Sequence, residues 1–395
     1  MKVLADQYLY KLEHFLPSEA EIHRFNPADG FPANAMEYDA LLIRTVTRIN
    51  SESLPKSGNL KFIGTATAGI DHIDTEWLKN LGVGFGHAAG SNAVAVGEYV
   101  ITVLMKWALD RKIDLREKSI GVIGCGHTGG EVISLLNQFG LPNFGYDPPK
   151  QDRDDGFVSV SADKLLSCDI LTFHVPFTKI GSDPTHHLFN KDWLVNPFDL
   201  VINAARGGVV DENALLMGLE EGSLGDMVLD VWENEPLFRD DVAEQAFIAT
   251  PHIAGYSKES KIRASRMAVE QMRPFFETEF RSADDKAGKE ADGKIGEKVR
   301  DEVSGSAEKK AGDEVERKAE ERIDENIGEV AGRGQDSIRG KSNWLDLADQ
   351  LWKESNISEY DRNLRTLIGL GNVEKARKFA DLRSETELRN EWLRE

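Results

Sequence analysis

The sequence predicts an α/β protein with two doubly wound, Rossmann-like domains, the first discontinuous, followed by a charged linker and a small C-terminal helical unit. Short apolar runs of strand length alternate with helical stretches. One long apolar helix separates two such series, and a glycine-rich turn follows the first strand of the second series. A chain of 395 residues also exceeds what one hydrophobic core usually organises.

The first series of elements lies in residues 1–97. Strand-like apolar runs occur at 40–44 and 60–64, and a helical stretch follows at 75–81. Apolar residues at helical spacing over 93–112 predict one long helix that leads into the second domain. Residues 257–280 have the pattern of an amphipathic helix that returns to the first domain. We therefore expect residues 1–97 and 257–280 to form a substrate or catalytic domain.

The second series predicts a nucleotide-binding Rossmann domain over residues 98–256. Its first strand is expected at 119–124, and strand-like runs follow at 143–146, 170–174, 200–203, 227–230 and 247–250. Helical segments stand between most of these runs. This alternation predicts a second doubly wound parallel sheet.

The composition changes after the second domain. Residues 281–341 are rich in charge, glycine and alanine and contain no aromatic residue, so they cannot bury much apolar surface. We interpret them as a charged, low-complexity, solvated linker. Aromatic residues return in 342–395, which predicts a C-terminal helical region that could serve dimerisation.

Charge and cysteine content exclude several classes of protein. The net charge of -20 disfavours nucleic acids and anionic membranes as partners, because both would be repelled. The two cysteines have no metal-ligand spacing, so we expect neither a disulfide framework nor a metal site. No apolar run has the length of a membrane span, and we expect a soluble, cytoplasmic protein.

A dinucleotide fingerprint follows the first strand of the second series. Its residues are Gly124, Cys125, Gly126, His127, Thr128 and Gly129. Glycines let the backbone turn tightly and approach a pyrophosphate, which then lies at the positive end of the next helix. Asp147 ends the following strand, where a carboxylate accepts hydrogen bonds from ribose hydroxyls and repels a 2′-phosphate. The pattern therefore favours NAD over NADP.

Three further polar segments follow predicted strands, at 203–208, 230–236 and 250–255. Hydride transfer at C2 of a hydroxy acid needs a cation for the carboxylate, a group that exchanges the hydroxyl proton, and an anion beside that group. Arg206 would grip the carboxylate with its fork of donors. His252 would exchange the proton, and Glu235 would orient the imidazole and stabilise its charged form.

The order and the amino-acid sequences of these segments resemble those of the D-isomer-specific 2-hydroxyacid dehydrogenases. The resemblance runs from residue 1 to about residue 280 and includes the fingerprint, Asp147 and the His174-Val175-Pro176 segment. It implies catalytic roles for Arg206, Glu235 and His252. It also implies that the cofactor site includes four residues outside the fingerprint: Pro176, Ala205, Asp230 and Gly255.

Within that family, stretches such as 64–72, 91–99 and 252–256 resemble the erythronate-4-phosphate dehydrogenase subfamily. That resemblance implies substrate contacts at Thr45, Thr67 and Tyr256. It further implies NAD-dependent oxidation of 4-phospho-D-erythronate in pyridoxal phosphate synthesis, by a homodimer. The charged segment stands where the subfamily has a strand of its dimerisation domain. Alternatives are a D-3-phosphoglycerate or a hydroxypyruvate/glyoxylate dehydrogenase, and a non-enzymatic NAD-sensing protein of the same fold.

Overall fold

A computed structural model describes residues 1–281, 341–385 and 388–391. The interior of the predicted charged linker lies outside these ranges, so that prediction is not tested. The described chain divides into two compact units. The first consists of Met1–Ser91 and the described residues from Glu259 to Arg281. The second consists of Asn92–Lys258 and the C-terminal helices.

The first unit contains a five-stranded parallel sheet in the order β2-β1-β3-β4-β5. Its strands are Lys2–Asp6 (β1), Glu21–Phe25 (β2), Ala40–Ile43 (β3), Phe62–Thr65 (β4) and Gly84–His87 (β5). Its helices are Thr75–Asn80 (α1) and Lys258–Met272 (α8). Alternate residues of β1 face two different apolar clusters, because helices and loops cover both faces of the sheet.

The second unit contains a six-stranded parallel sheet in the order β11-β10-β9-β8-β6-β7. Its strands are Ile120–Ile123 (β6), Asn143–Tyr146 (β7), Ile170–Phe173 (β8), Phe198–Asn203 (β9), Leu224–Leu229 (β10) and Ile248–Ala249 (β11). The helices that precede or connect them are Ala93–Arg111 (α2), His127–Gln138 (α3), Pro148–Gln151 (α4), Ala162–Leu166 (α5), Glu212–Glu221 (α6) and Asp240–Gln245 (α7). The predicted α/β class, with two doubly wound parallel sheets, is confirmed.

The C-terminal segment folds into three helices: Lys341–Glu354 (α9), Ile357–Arg365 (α10) and Asn372–Glu385 (α11). Their apolar side chains join the core of the second unit. Tyr360 lies in the cluster that contains α2, and Leu364 and Phe379 lie in the cluster on the other face of the sheet. The helical character predicted for this region is present, and the described helices pack as part of the second unit.

The helix after the glycine-rich turn begins at His127, inside the fingerprint. The helix predicted over 257–280 is shorter than expected. Regular α8 ends at Met272, and the chain continues as a 3₁₀ turn over Arg273–Phe275. Pro274 has no backbone N–H to continue the α-helical pattern, which explains the earlier end. In the described part of the chain, no helix is long and apolar enough to span a bilayer.

Candidate active site

The glycine-rich turn lies where the strand order of the second sheet reverses. β7 pairs with one edge of β6, and β8 pairs with the other edge. In such sheets, ligands bind at the carboxyl ends of the strands beside this reversal. Gly124 has a φ of +84°, and a Cβ at Gly129 would lie 1.8 Å from the Gly124 carbonyl oxygen. The turn can therefore close only with glycine at these two positions.

The turn has the features that a dinucleotide requires. A Cβ built at Gly126 meets no atom within 4 Å, so the backbone there faces open space. Gly126 is the N-cap of α3, and no side chain caps this helix end. Amide N–H groups at a helix start favour a negatively charged group such as a pyrophosphate. The first turn of α3 contains His127 and Thr128, which the sequence assigned to the cofactor site.

Asp147 connects the end of β7 to this turn. Its Oδ2 accepts a 2.8 Å hydrogen bond from the Cys125 backbone N–H, and its Oδ1 accepts one of 2.9 Å from the Lys150 N–H. The sequence-predicted acid therefore lies directly beside the glycine-rich turn. Cys125 is buried, and burial raises the pKa of its thiol to about 12, so it behaves as a small apolar residue.

His252 and Glu235 form a hydrogen-bonded pair. Nδ1 of His252 lies 2.8 Å from Oε2 of Glu235, and the other Glu235 oxygen accepts a 2.9 Å bond from the Trp232 N–H. Burial alone would raise the pKa of Glu235, but the charge and hydrogen bond of His252, together with the Trp232 N–H, bring this pKa below its ordinary value. Glu235 is therefore ionised and bonded to the imidazole.

The backbone around His252 is held by a buried carboxylate. His252 has a φ of +59°, which is uncommon for a residue other than glycine. Its N–H donates to the Asp230 carbonyl, and the N–H groups of Ile253 and Ala254 donate to the Asp230 carboxylate at 2.7 and 2.9 Å. Burial raises the pKa of Asp230 although His252 and these donors oppose the rise. Asp230 thus fixes the loop that carries the imidazole.

Two hydroxyl groups that the sequence analysis did not select complete this network. Thr250 donates a 2.7 Å hydrogen bond to Asp230, and its hydroxyl lies 2.8 Å from that of Tyr99. All three side chains are buried. Tyr99 is part of the long apolar helix α2, and no local sequence signal indicates its polar partner 151 residues away.

Arg206 follows β9 on a loop that packs closely against the loop of Glu235. A Cβ at Gly207 would lie 1.8 Å from the Trp232 carbonyl oxygen, so only glycine permits this approach. Asn203 braces the Arg206 loop by donating to the Arg206 carbonyl at 3.1 Å and accepting from the Ala205 N–H at 3.1 Å. The Arg206 guanidinium is partly buried and donates to the Ala205 carbonyl at 2.8 Å. The two loops thus bring a guanidinium and the His252–Glu235 pair to one edge of the second sheet.

The other predicted cofactor residues also lie in the second unit. Pro176 is exposed two residues after His174, and Ala205 is buried beside Arg206. Gly255 lies against the Asn92 side chain. These residues follow β8, β9 and β11, so they share the carboxyl edge of the sheet with the glycine-rich turn.

The predicted substrate residues occur in both units, each described by itself. In the first unit, Thr45 is exposed two residues after β3, and Thr67 follows the neighbouring β4. The Thr67 hydroxyl lies 2.8 Å from that of Thr65 and donates to the Gly69 carbonyl. In the second unit, Tyr256 comes four residues after His252, and its phenolic oxygen accepts a 3.0 Å hydrogen bond from Arg383.

One group of potential metal ligands occurs among the described residues. Nε2 of His187 lies 2.9 Å from a Glu233 oxygen, and its Nδ1 lies 3.8 Å from an Asp211 oxygen. The hydrogen bond between His187 and Glu233 accounts for this arrangement, and we assign it no metal.

Two histidines with lowered pKa values are expected to make the fold less stable in acid. Burial lowers the pKa of His72 to about 4 and that of His174 to about 3. Both stay neutral when folded but take up protons when unfolded, where a histidine pKa is about 6.5. The stability that they provide is therefore complete above about pH 6.5 and declines as the pH falls towards 4. Melting temperatures measured near pH 7 and near pH 5 should fall less in His72→Asn and His174→Asn than in the unmodified chain. Equal falls in melting temperature in the variants and in the unmodified chain would contradict the neutral, buried state assigned to these histidines.

The sequence of the chain is similar to one family model and to several known dehydrogenases. Residues 97–254 match the family model described as the D-isomer specific 2-hydroxyacid dehydrogenase, NAD binding domain. Erythronate-4-phosphate dehydrogenase of Marinobacter nauticus is 38% identical over 279 residues, which are 69% of this chain and 72% of that protein. The enzyme of the same name from Escherichia fergusonii is 40% identical and covers 70% of this chain and 73% of its own length.

A solved structure agrees with the fold. The D-lactate dehydrogenase of Aquifex aeolicus, solved with NAD and lactic acid, superposes with a TM-score of 0.54 at 24% identity. The superposition covers 71% of this chain and 97% of that structure. The fold, the cofactor-binding domain and the relatives agree, and the chain belongs to the D-isomer specific 2-hydroxyacid dehydrogenase family, with erythronate-4-phosphate dehydrogenases among its relatives.

Proposed function

We propose that the chain oxidises 4-phospho-D-erythronate at C2 to (R)-3-hydroxy-2-oxo-4-phosphooxybutanoate with NAD, a step in the synthesis of pyridoxal 5′-phosphate. The observation that carries the chemistry is the His252–Glu235 pair at 2.8 Å, beside the Arg206 loop on an NAD-binding domain. The substrate is taken from the names of the relatives that are about 40% identical.

In this mechanism, the chain's own residues orient the acid and move one proton. Arg206 binds the substrate carboxylate and the C2 oxygen through its donors. Glu235 holds Nδ1 of His252, so Nε2 takes the hydroxyl proton during oxidation and returns it during reduction. Glu235 also stabilises the imidazolium that forms. NAD supplies the hydride acceptor.

The residues proposed to hold NAD are the glycine-rich turn with His127 and Thr128, the acid Asp147, and the strand-end residues Pro176, Ala205, Asp230 and Gly255. The open backbone at Gly126 and the uncapped start of α3 fit a pyrophosphate. Asp147, beside the Cys125 N–H, fits the adenosine ribose and opposes a 2′-phosphate.

Cofactor choice gives a test of Asp147. Asp147→Asn removes the charge with little change of shape, so the ratio of kcat/KM for NAD to that for NADP should fall by roughly 10-fold or more, because like-charge repulsion is lost. The measurement is steady-state kinetics with each cofactor. Asp152→Asn, an exposed acid at the C-terminal end of the same short helix, is the matched control. An unchanged ratio in Asp147→Asn would refute its role in discrimination.

The substrate is tested by comparing acids. Thr45, Thr67 and Tyr256 are proposed to contact the phosphorylated polyol, since hydroxyl groups suit its oxygens. With NAD, kcat/KM should be highest for 4-phospho-D-erythronate among that acid, 3-phospho-D-glycerate and D-glycerate, the reduced form of hydroxypyruvate. A higher value for either of the other two would assign the chain to those dehydrogenases. Absence of turnover with every 2-hydroxy or 2-oxo acid would favour an NAD-sensing binding protein.

Three broader assignments accompany this proposal. We propose that residues 1–97 and 257–280 form the substrate domain and that residues 98–256 bind the nucleotide. We also propose a homodimer, assisted by the C-terminal helices, and a cytoplasmic location. Sedimentation analysis of the full chain would test the dimer.

A further inference from the structure

A guanidinium from the C-terminal helices lies against Tyr256. Arg383 is near the end of α11, and its Nη2 donates a 3.0 Å hydrogen bond to the phenolic oxygen of Tyr256. Its guanidinium carbon also lies 5.7 Å from the centroid of the Tyr256 ring. The phenolic oxygen of Tyr256 therefore accepts from Arg383, and the guanidinium and the phenol form one polar pair.

Arg383 carries a donor that the described residues leave without an acceptor. Its Nε is buried and has no hydrogen-bond partner among them. Burial opposes the guanidinium charge, but Tyr256, Glu235 and Asp230 together hold the pKa of Arg383 above its ordinary value. A buried, charged donor without an acceptor is unfavourable, and such groups are usually satisfied by a partner. The missing acceptor would be an oxygen of a bound anion.

The position of Arg383 is set by packing next to the catalytic loop. Phe379, one helical turn earlier on α11, is buried with its ring 6.0 Å from that of Phe238. Phe238 comes three residues after Glu235. Asp240 follows in the same segment and makes an ion pair with Lys375 of α11. These contacts attach α11 to the segment that follows Glu235. Arg383 is therefore part of a packed structure.

We propose that Arg383 and Tyr256 form the subsite for the second anionic group of the substrate, which is the phosphate under the proposed function on which this inference rests. A substrate with a carboxylate and a phosphate needs two cationic sites, and Arg206 is already assigned to the carboxylate. A guanidinium fork and a phenol O–H suit the several oxygens of a phosphate. The C-terminal region would then determine specificity for phosphorylated acids.

The test compares two acids that differ only in the phosphate. For Arg383→Met, kcat/KM with 4-phospho-D-erythronate should fall by roughly 10²-fold, mainly through KM, because a charged pair is lost. The value with D-erythronate should change little, and the KM for NAD should not change. Arg383→Lys should restore part of the loss because it keeps the charge. Arg377→Met removes an exposed arginine from the same helix and should leave both substrates unaffected.

Two kinetic results would overturn the proposed role of Arg383. Equal losses with both acids, accompanied by a lower melting temperature, would make Arg383 a structural residue and overturn the inference. Unchanged kinetics with both acids would also overturn it. If the wild type does not oxidise 4-phospho-D-erythronate, the proposed function fails, and calorimetric titration with inorganic phosphate tests the subsite separately. Weaker phosphate binding by Arg383→Met would support it, whereas equal binding, or no binding by the wild type, would overturn it.

Discussion

Replacing His252 with alanine is expected to lower the turnover number by roughly 10²-fold or more while leaving NAD affinity nearly unchanged. Oxidation at C2 releases the hydroxyl proton, and the imidazole held by Glu235 at 2.8 Å is the group assigned to take it. Without the imidazole, water must take the proton, and the advantage of a positioned base is lost. The glycine-rich turn and Asp147 are untouched by the substitution.

The measurement combines steady-state kinetics with a fluorescence titration of NADH. His186→Ala is a matched control, because His186 is an exposed histidine of the same unit with no assigned role in proton transfer. His252→Ala should also retain the melting temperature of the wild type within a few degrees. Unchanged turnover in His252→Ala would eliminate the proton-transfer role.

Replacing Arg206 with methionine is expected to lower kcat/KM for the 2-hydroxy acid by roughly 10³-fold. The guanidinium can bind a carboxylate through two parallel donors, and methionine keeps much of the side-chain length without any donor. Arg206→Lys should recover only part of the loss, because an ammonium group cannot reproduce the fork. The loop itself should survive, since Asn203 braces it through backbone groups.

Arg116→Met provides the control for Arg206. Arg116 is an exposed arginine of the second unit that pairs with Asp114, and its removal should leave the kinetics unchanged. NADH affinity should be equal in all of these variants. A loss in Arg206→Met that appears in NADH binding and not in the kinetics of the acid would contradict the carboxylate-binding role.

Local patterns were sufficient to predict the fold class and the nucleotide turn. The strand at Ile120–Ile123, the glycines and Asp147 lie close together in sequence, and each has a conformational or electrostatic requirement of its own. His252 and Glu235 were predicted as partners because both follow strands of one parallel sheet, whose carboxyl ends meet at the same edge. Their separation of 17 residues includes α7, β11 and the connecting loops.

Other features could not be read from local sequence. Tyr99 contacts Thr250 across 151 residues, and its surroundings in α2 are apolar, so only tertiary packing shows its polar partner. Arg383 lies in a charged C-terminal helix, where an arginine usually faces solvent. On the same helix, Phe379 packs against Phe238 and Lys375 pairs with Asp240. These contacts with the segment after Glu235 place Arg383 in a packed environment.

Isotope transfer decides whether the chain moves a hydride from C2 of the hydroxy acid to NAD. The enzyme is mixed with NAD and with 4-phospho-D-erythronate that carries deuterium at C2, and the reaction is quenched before product leaves and analysed by mass spectrometry. We expect NADH that contains deuterium, together with the 2-oxo acid in equal amount. Formation of NADH without deuterium, or no NADH with this or any other 2-hydroxy acid, would contradict the proposed reaction.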